Sequence, residues 1–197
     1  MAATFSRLTV GALALQGDFE RHEHQITLVG AKSRLVRMPK DLTGVDALIM
    51  PGGESTTMDK LIDRFGLRQP LLDFAQEHPI WGTCAGMILL GKKIEDNQAG
   101  VTPLGLMDID TRRNDYGRQI YSFDEEIHAR LNGHMVDLHA AFIRAPRVTR
   151  CGDEVSILAE FRKSPVLVSE GQLLASSFHT ELDDDTRLLE YFLKNYC

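Results

Sequence analysis

Three short apolar runs constrain this chain most: "LTVGALAL" at residues 8–15, "VDALIM" at 45–50 and "PIWG" at 79–82. They are too short to be buried helices and do not alternate as a half-solvated strand does. They read as strands of a parallel sheet covered on both faces. Helical spacing fills the gaps between them. Phe19, His22, Ile26 and Val29 recur at helix-like intervals before Gly30, and Met58, Leu61, Ile62 and Phe65 do so before Gly66. A further helix is expected from Leu67 to Glu77, and "SRLVRM" at 33–38 supplies another short strand. Alternating strands and helices predict a parallel sheet with helices on both sides.

The second half changes style. "GLMDIDT", "HMVDLHAAFIRAPRV", "VSILAEF", "PVLVSEG" and "QLLASSFH" are β-rich and closely spaced, and Glu170-Gly171 suits a hairpin turn. These strands should extend the sheet or form a small antiparallel flap. "DDDTRLLEYFLKNY" reads as a closing amphipathic helix with an acidic start. With 197 residues and no repeat or linker, a single domain over 1–197 is expected.

Charge and cysteine usage narrow the function classes. Lysine and arginine number 22 against 28 aspartates and glutamates, giving a net charge of −6 with the basic residues scattered. Nucleic acid is therefore not an expected partner. The first apolar run is too short to span a bilayer, so no membrane association is expected either. Cys84, Cys151 and Cys197 are odd in number and form no CxxC, which suggests neither a disulfide framework nor a zinc site and fits the cytoplasm. The "HEH" at 22–24 places two histidines two apart on a helix, where they diverge, so no metal is expected.

The chemistry centres on "GTCAG". Glycines at 82 and 86 flank Cys84 as in a nucleophile elbow, where a strand turns sharply into a helix. The helix that follows favours a thiolate, because its N-terminal amides and dipole stabilise negative charge. A buried structural cysteine is the bland alternative, so company is needed. "SSFHTEL" provides it: His179 and Glu181, two apart at the end of an apolar strand, point to the same side if extended. The carboxylate would then hold the imidazole in the tautomer that accepts the thiol proton. The other six histidines, His22 included, read as ordinary core or surface residues. "MPGGEST" follows a strand, and its Pro51-Gly52-Gly53 turn can aim backbone amides inward as an oxyanion hole. A plain strand-to-helix turn with Ser55 as N-cap is compatible. No GK[ST] follows, which excludes a Walker-type phosphate loop.

"GALALQGD", "PGGESTTM", "GTCAGM", "RRNDYGRQ", "FIRAP" and "SSFHTEL", in this order along nearly the whole chain, resemble the glutaminase-subunit family of pyridoxal 5'-phosphate synthases, which are class I, triad-type glutamine amidotransferases. The resemblance implies a flavodoxin-like three-layer α/β sandwich with a mostly parallel central sheet and a small antiparallel extension. It implies Cys84 as nucleophile, His179 as base and Glu181 as its orienting partner. Gly52, Gly53, Glu54 and Ser55 fall where the family holds L-glutamine and stabilises the oxyanion, with Arg113, Ile143 and Arg144 on other glutamine-contacting positions. Gln16 falls near the site, at a position tied to partner-induced activation. The resemblance further implies no cofactor and a (β/α)8-barrel synthase subunit as recipient of the ammonia. Two residues depart from the family pattern: Thr180 stands where proline is usual, and Asp115 where a small residue is common. A glutaminase serving a different synthase, or a noncatalytic cysteine-bearing chaperone or redox sensor, are the rival readings.

Overall fold

The computed structural model describes residues 5–113 and 122–197. The first half alternates as expected: β1 (Thr9–Leu13), α1 (Phe19–Leu28), β2 (Lys32–Val36), β3 (Ala47–Met50), α2 (Ser55–Arg64), α3 (Arg68–Glu77), β4 (Ile80–Thr83) and α4 (Ala85–Leu90). The second half contributes β5 (Gly91–Ile94), β6 (Met107–Arg112), β7 (Phe123–Leu131), β8 (His134–Phe142), β9 (Arg147–Cys151), β10 (Ser156–Phe161), β11 (Ser164–Glu170), β12 (Leu173–Ser176) and α5 (Arg187–Tyr196).

Seven strands form the central sheet in the order β10-β11-β12-β4-β3-β1-β2. From β12 to β2 neighbours run parallel, whereas β10, β11 and β12 are joined antiparallel. The parallel part has the flavodoxin-like order, in which ligands bind beyond the carboxyl ends of the strands. The sheet is covered on both sides, as the apolar runs required. On β3, Ala47 and Ile49 join one core with α1, α5 and the β7–β8 hairpin, while Leu48 and Met50 join the other with α2, α3, α4, β5 and β6. Trp81, Phe142, Phe178 and Phe192 are among the largest fully buried side chains. Each buried side chain of this kind stabilises the fold by roughly 1.5–3 kcal/mol.

The second half differs from expectation in three places. "HMVDLHAAFIRAPRV" is not one strand: β8 stops at Phe142, and β9 joins β5 and β6 in a separate three-stranded sheet. Arg144 takes φ 45° between them, and Pro146 has no N–H to carry the ladder on. β7 carries no apolar run because its inward residues Ile127, Ala129 and Leu131 alternate with charged or polar neighbours. β5 has two exposed lysines among its four residues. The expected hairpin at Glu170-Gly171 is present, with Gly171 at φ 57° between β11 and β12.

Candidate active site

Most of the singled-out residues arrive from the carboxyl ends of four parallel strands, while Arg113 follows β6 and Ile143 and Arg144 follow β8. β1 leads to Gln16, β3 to Gly52–Ser55, β4 to Cys84, and β12 to His179 and Glu181. One cavity of about 230 Å³ opens there. It is lined by all the residues singled out in the sequence except Glu181 and Gln16, and also by Asp18, Ile88 and Leu182, which the sequence reading did not name.

The elbow is built by exclusion. Cys84 has φ 52° and ψ −100°, a conformation that side-chain-bearing residues rarely adopt. A Cβ on Gly82 would meet the Gly86 carbonyl carbon at 2.6 Å, and one on Gly86 would meet the Met50 carbonyl oxygen at 2.2 Å. Both glycines are therefore required by close approach of backbone to backbone. The Cys84 N–H donates to the Ser176 carbonyl at 2.7 Å, tying the elbow to β12. Its Sγ lies 3.9 Å from the Ile143 carbonyl oxygen.

His179 is buried, with its backbone paired to Ala141 on β8. Its Nδ1 is 2.5 Å from Glu181 Oε1, and the ring lines the cavity together with the Cys84 thiol. Burial opposes charge on the ring, but Cys84 and Glu181 outweigh it and push the imidazole up to about 10. Burial opposes charge on Glu181 as well, yet His22 and His179 hold its carboxyl at about 2. Imidazole and carboxylate thus form one hydrogen-bonded pair, with the carboxylate buried and the imidazole at the cavity that the thiol also lines.

The turn after β3 packs directly on this pair. A Cβ on Gly52 would fall 2.3 Å from His179 Cε1. Glu54, not Ser55, caps α2: its carboxylate accepts from the Thr56 and Thr57 amides at 3.0 and 2.7 Å. The longer side chain can reach both amides, leaving Ser55 buried as the first helical residue. Burial opposes ionisation of Glu54, but bonds from Thr57 and Thr56 hold its carboxyl at about 2. The Glu54 N–H donates to Gln16 Oε1 at 2.8 Å, so Gln16 fastens the turn from behind.

Arg113 reaches the cavity through Nη1, 3.3 Å from Thr56 Oγ1, while its amide is held by Asp96. Arg144 is exposed and also lines the cavity, as does Ile143. The departure at Asp115 and the remainder of "RRNDYGRQ" after Arg113 lie outside the described residues. Thr180 is buried, and its carbonyl accepts from Gln25 Nε2 at 2.9 Å.

His22 departs from the sequence reading. The "HEH" histidines do diverge, His24 outward, but His22 is fully buried with Nε2 3.5 Å from Glu181 Oε1. A signal was available: His22 and Gln25 put two polar residues on the inward stripe of α1 with Ile26. Among the described residues no group of three or more His, Cys, Asp or Glu is arranged to hold a metal. Nor, among them, is any helix long and apolar enough to cross a membrane.

Residues 12–197 match the sequence profile of the SNO glutamine amidotransferase family. The chain belongs to that family. It is 46% identical over 187 residues to "Pyridoxal 5'-phosphate synthase subunit PdxT" of Geobacillus thermodenitrificans, covering 94% of each chain. The protein of the same name from Herpetosiphon aurantiacus is 47% identical over 189 residues, covering 94% of this chain and 99% of that one. A solved structure described as a glutamine amidotransferase superposes with a TM-score of 0.87 at 42% identity, over 94% of this chain and 97% of the other. As a member of the SNO family the protein is an enzyme of the glutamine amidotransferase class, and its α/β architecture is that of the solved amidotransferase.

Proposed function

We propose that this chain, as one amidotransferase domain over 1–197, hydrolyses L-glutamine through Cys84, His179 and Glu181 and passes the ammonia to a (β/α)8-barrel synthase subunit that makes pyridoxal 5'-phosphate. The observation that carries this reading is the buried imidazole–carboxylate pair sharing one cavity with the Cys84 thiol, Arg113 and Arg144. The barrel and its product are supported by the relatives' name as subunits of that synthase.

In this mechanism the Cys84 thiolate attacks the side-chain carboxamide carbon, and amides of the Gly52-Gly53 turn receive the developing oxyanion. His179, protonated beside the thiolate, gives its proton to the departing nitrogen. Ammonia leaves and a glutamyl thioester remains. Neutral His179 then takes a proton from water, which attacks the thioester and releases glutamate and the thiol. Arg113 and Arg144 meet the α-carboxylate of glutamine, and the backbone of Gly53, Glu54, Ser55 and Ile143 borders the rest. These steps draw only on protein groups, with no cofactor or metal. The site works in the cytoplasm, where glutamine and reduced thiols coexist.

Gln16 gives a docked partner a handle on the turn, because it holds the Glu54 amide directly. The isolated chain should then release glutamate slowly and the complex rapidly. The testing experiment uses Cys84→Ala in the assembled complex. Pyridoxal 5'-phosphate synthesis from glutamine should cease, while synthesis from added ammonium salt continues. Continued glutamine use by the variant would refute the assignment of the nucleophile.

A further inference from the structure

His22 is fully buried on α1, with its ring edge-on to Trp81 at 5.6 Å between centroids. Among the described residues neither of its ring nitrogens makes a regular hydrogen bond. Burying an imidazole in that condition costs free energy that a phenyl or isobutyl group would not incur. Its Nε2 approaches Glu181 Oε1 at 3.5 Å. That oxygen already accepts from His179 Nδ1, and Oε2 has no hydrogen-bond partner among the described residues. Two imidazoles therefore flank one buried carboxylate.

The placement is held in register. One turn along α1, Gln25 Nε2 donates to the Thr180 and Asp185 carbonyls, each at 2.9 Å. The segment that carries Glu181 is thus fastened to the same helix face that carries His22.

We propose that His22 is a positioning residue of the glutaminase site, presenting Nε2–H to Glu181 Oε1 and stabilising that carboxylate when His179 gives up its proton. The inference rests on the triad reading above. In that reading His179 is neutral once ammonia has left, and the buried Glu181 anion loses its counter-charge at that moment. A second donor at the same carboxylate fills that interval and keeps it aimed at His179 Nδ1. The charged and titratable groups acting on His22 suit this role. Burial holds it neutral, a charged His179 opposes its protonation, and Glu181 and Asp18 only partly offset these effects. His22 therefore acts as a neutral donor and does not compete for the catalytic proton.

The test compares His22→Phe, which keeps the packing against Trp81 but removes the donor, with His22→Gln, whose amide nitrogen reaches the position of Nε2. Glutamate release is measured from pH 4.5 to 9 with saturating synthase subunit, alongside Cys84→Ala. His22→Phe should lower kcat by about 10- to 100-fold, the loss of one polar contact to a charged group, with KM within about twofold. It should also gain a new acid limb as Glu181 becomes easier to protonate. His22→Gln should recover most of kcat and remove the limb. A folded His22→Phe with wild-type kcat and pH profile would overturn the proposal, as would equal losses in both variants with no change of profile. In the wild-type protein, nitrogen-15 NMR should find His22 protonated at Nε2, and a bare Nε2 facing Glu181 would overturn the proposal even if neither variant folds. Retained activity in Cys84→Ala would instead overturn the triad reading itself.

Discussion

Gly52→Ala probes how tightly the oxyanion turn and the imidazole share space. A Cβ there would lie 2.3 Å from His179 Cε1 and 3.2 Å from both ring nitrogens. Ordinary carbon contacts begin at about 3.5 Å, so either the ring or the turn must give way by roughly 1.2 Å. The turn has little freedom, because a Cβ on Gly17 would come within 1.8 Å of the Gly52 carbonyl oxygen, a measure of how closely the two loops are packed. The ring is tied to Glu181 at 2.5 Å, and the same retreat would take that bond beyond hydrogen-bonding range. A displacement of about 1 Å costs on the order of a hundredfold in rate, and overpacking costs about 1–3 kcal/mol of stability. We therefore expect kcat for glutamate release to fall at least about a hundredfold in the complex, with a folded protein by circular dichroism. Gly100→Ala is the control: nothing lies within 4 Å of its added Cβ, although φ is +66°. It should lose some stability and no activity. A folded Gly52→Ala protein within twofold of wild-type kcat would show that the imidazole does not work from this position.

Two further outcomes follow from the elbow and the carboxylate. The φ of 52° at Cys84 stores roughly 1–3 kcal/mol, so Cys84→Gly should melt a few degrees above Cys84→Ala, both being inactive; a more stable alanine variant would contradict the strain. Glu181 is held at about 2 against an ordinary 4.5, so its contribution, of order 3 kcal/mol, is present above about pH 4.5 and lost as pH falls toward 2. Urea midpoints of Glu181→Gln should therefore fall less steeply than wild type over that window, and an unchanged slope would assign the acid sensitivity to other carboxylates.

The first half of the fold was legible because β1, β3 and β4 are buried on both faces, and such strands announce themselves as continuous apolar runs. The strands of the flap did not, since β7 carries alternate charges on its solvent face and β5 two lysines. The break at Ile143–Pro146 was written in Pro146, but strand-forming sequence on each side hid it. The site residues stood out where spacing reports geometry directly, as in "GTCAG" and the two-residue step from His179 to Glu181. His22 was harder to see, because its role depends on which face α1 presents to a loop almost 160 residues away. The choice of Glu54 over Ser55 as cap likewise depends on the reach of a side chain, which spacing alone does not fix.

The seam between β4 and β12 also bears on synthesis. Ser176 pairs with Thr83, and the Cys84 amide donates to the Ser176 carbonyl. A nascent chain that has emerged through α4 therefore carries its thiol beside an unpaired strand edge, the kind of edge that recruits other chains. The pairing spans more than ninety residues, a separation that slows folding. Elongating chains should accordingly lean on chaperones until β12 is out, and fragments ending before it should aggregate while the full-length chain does not.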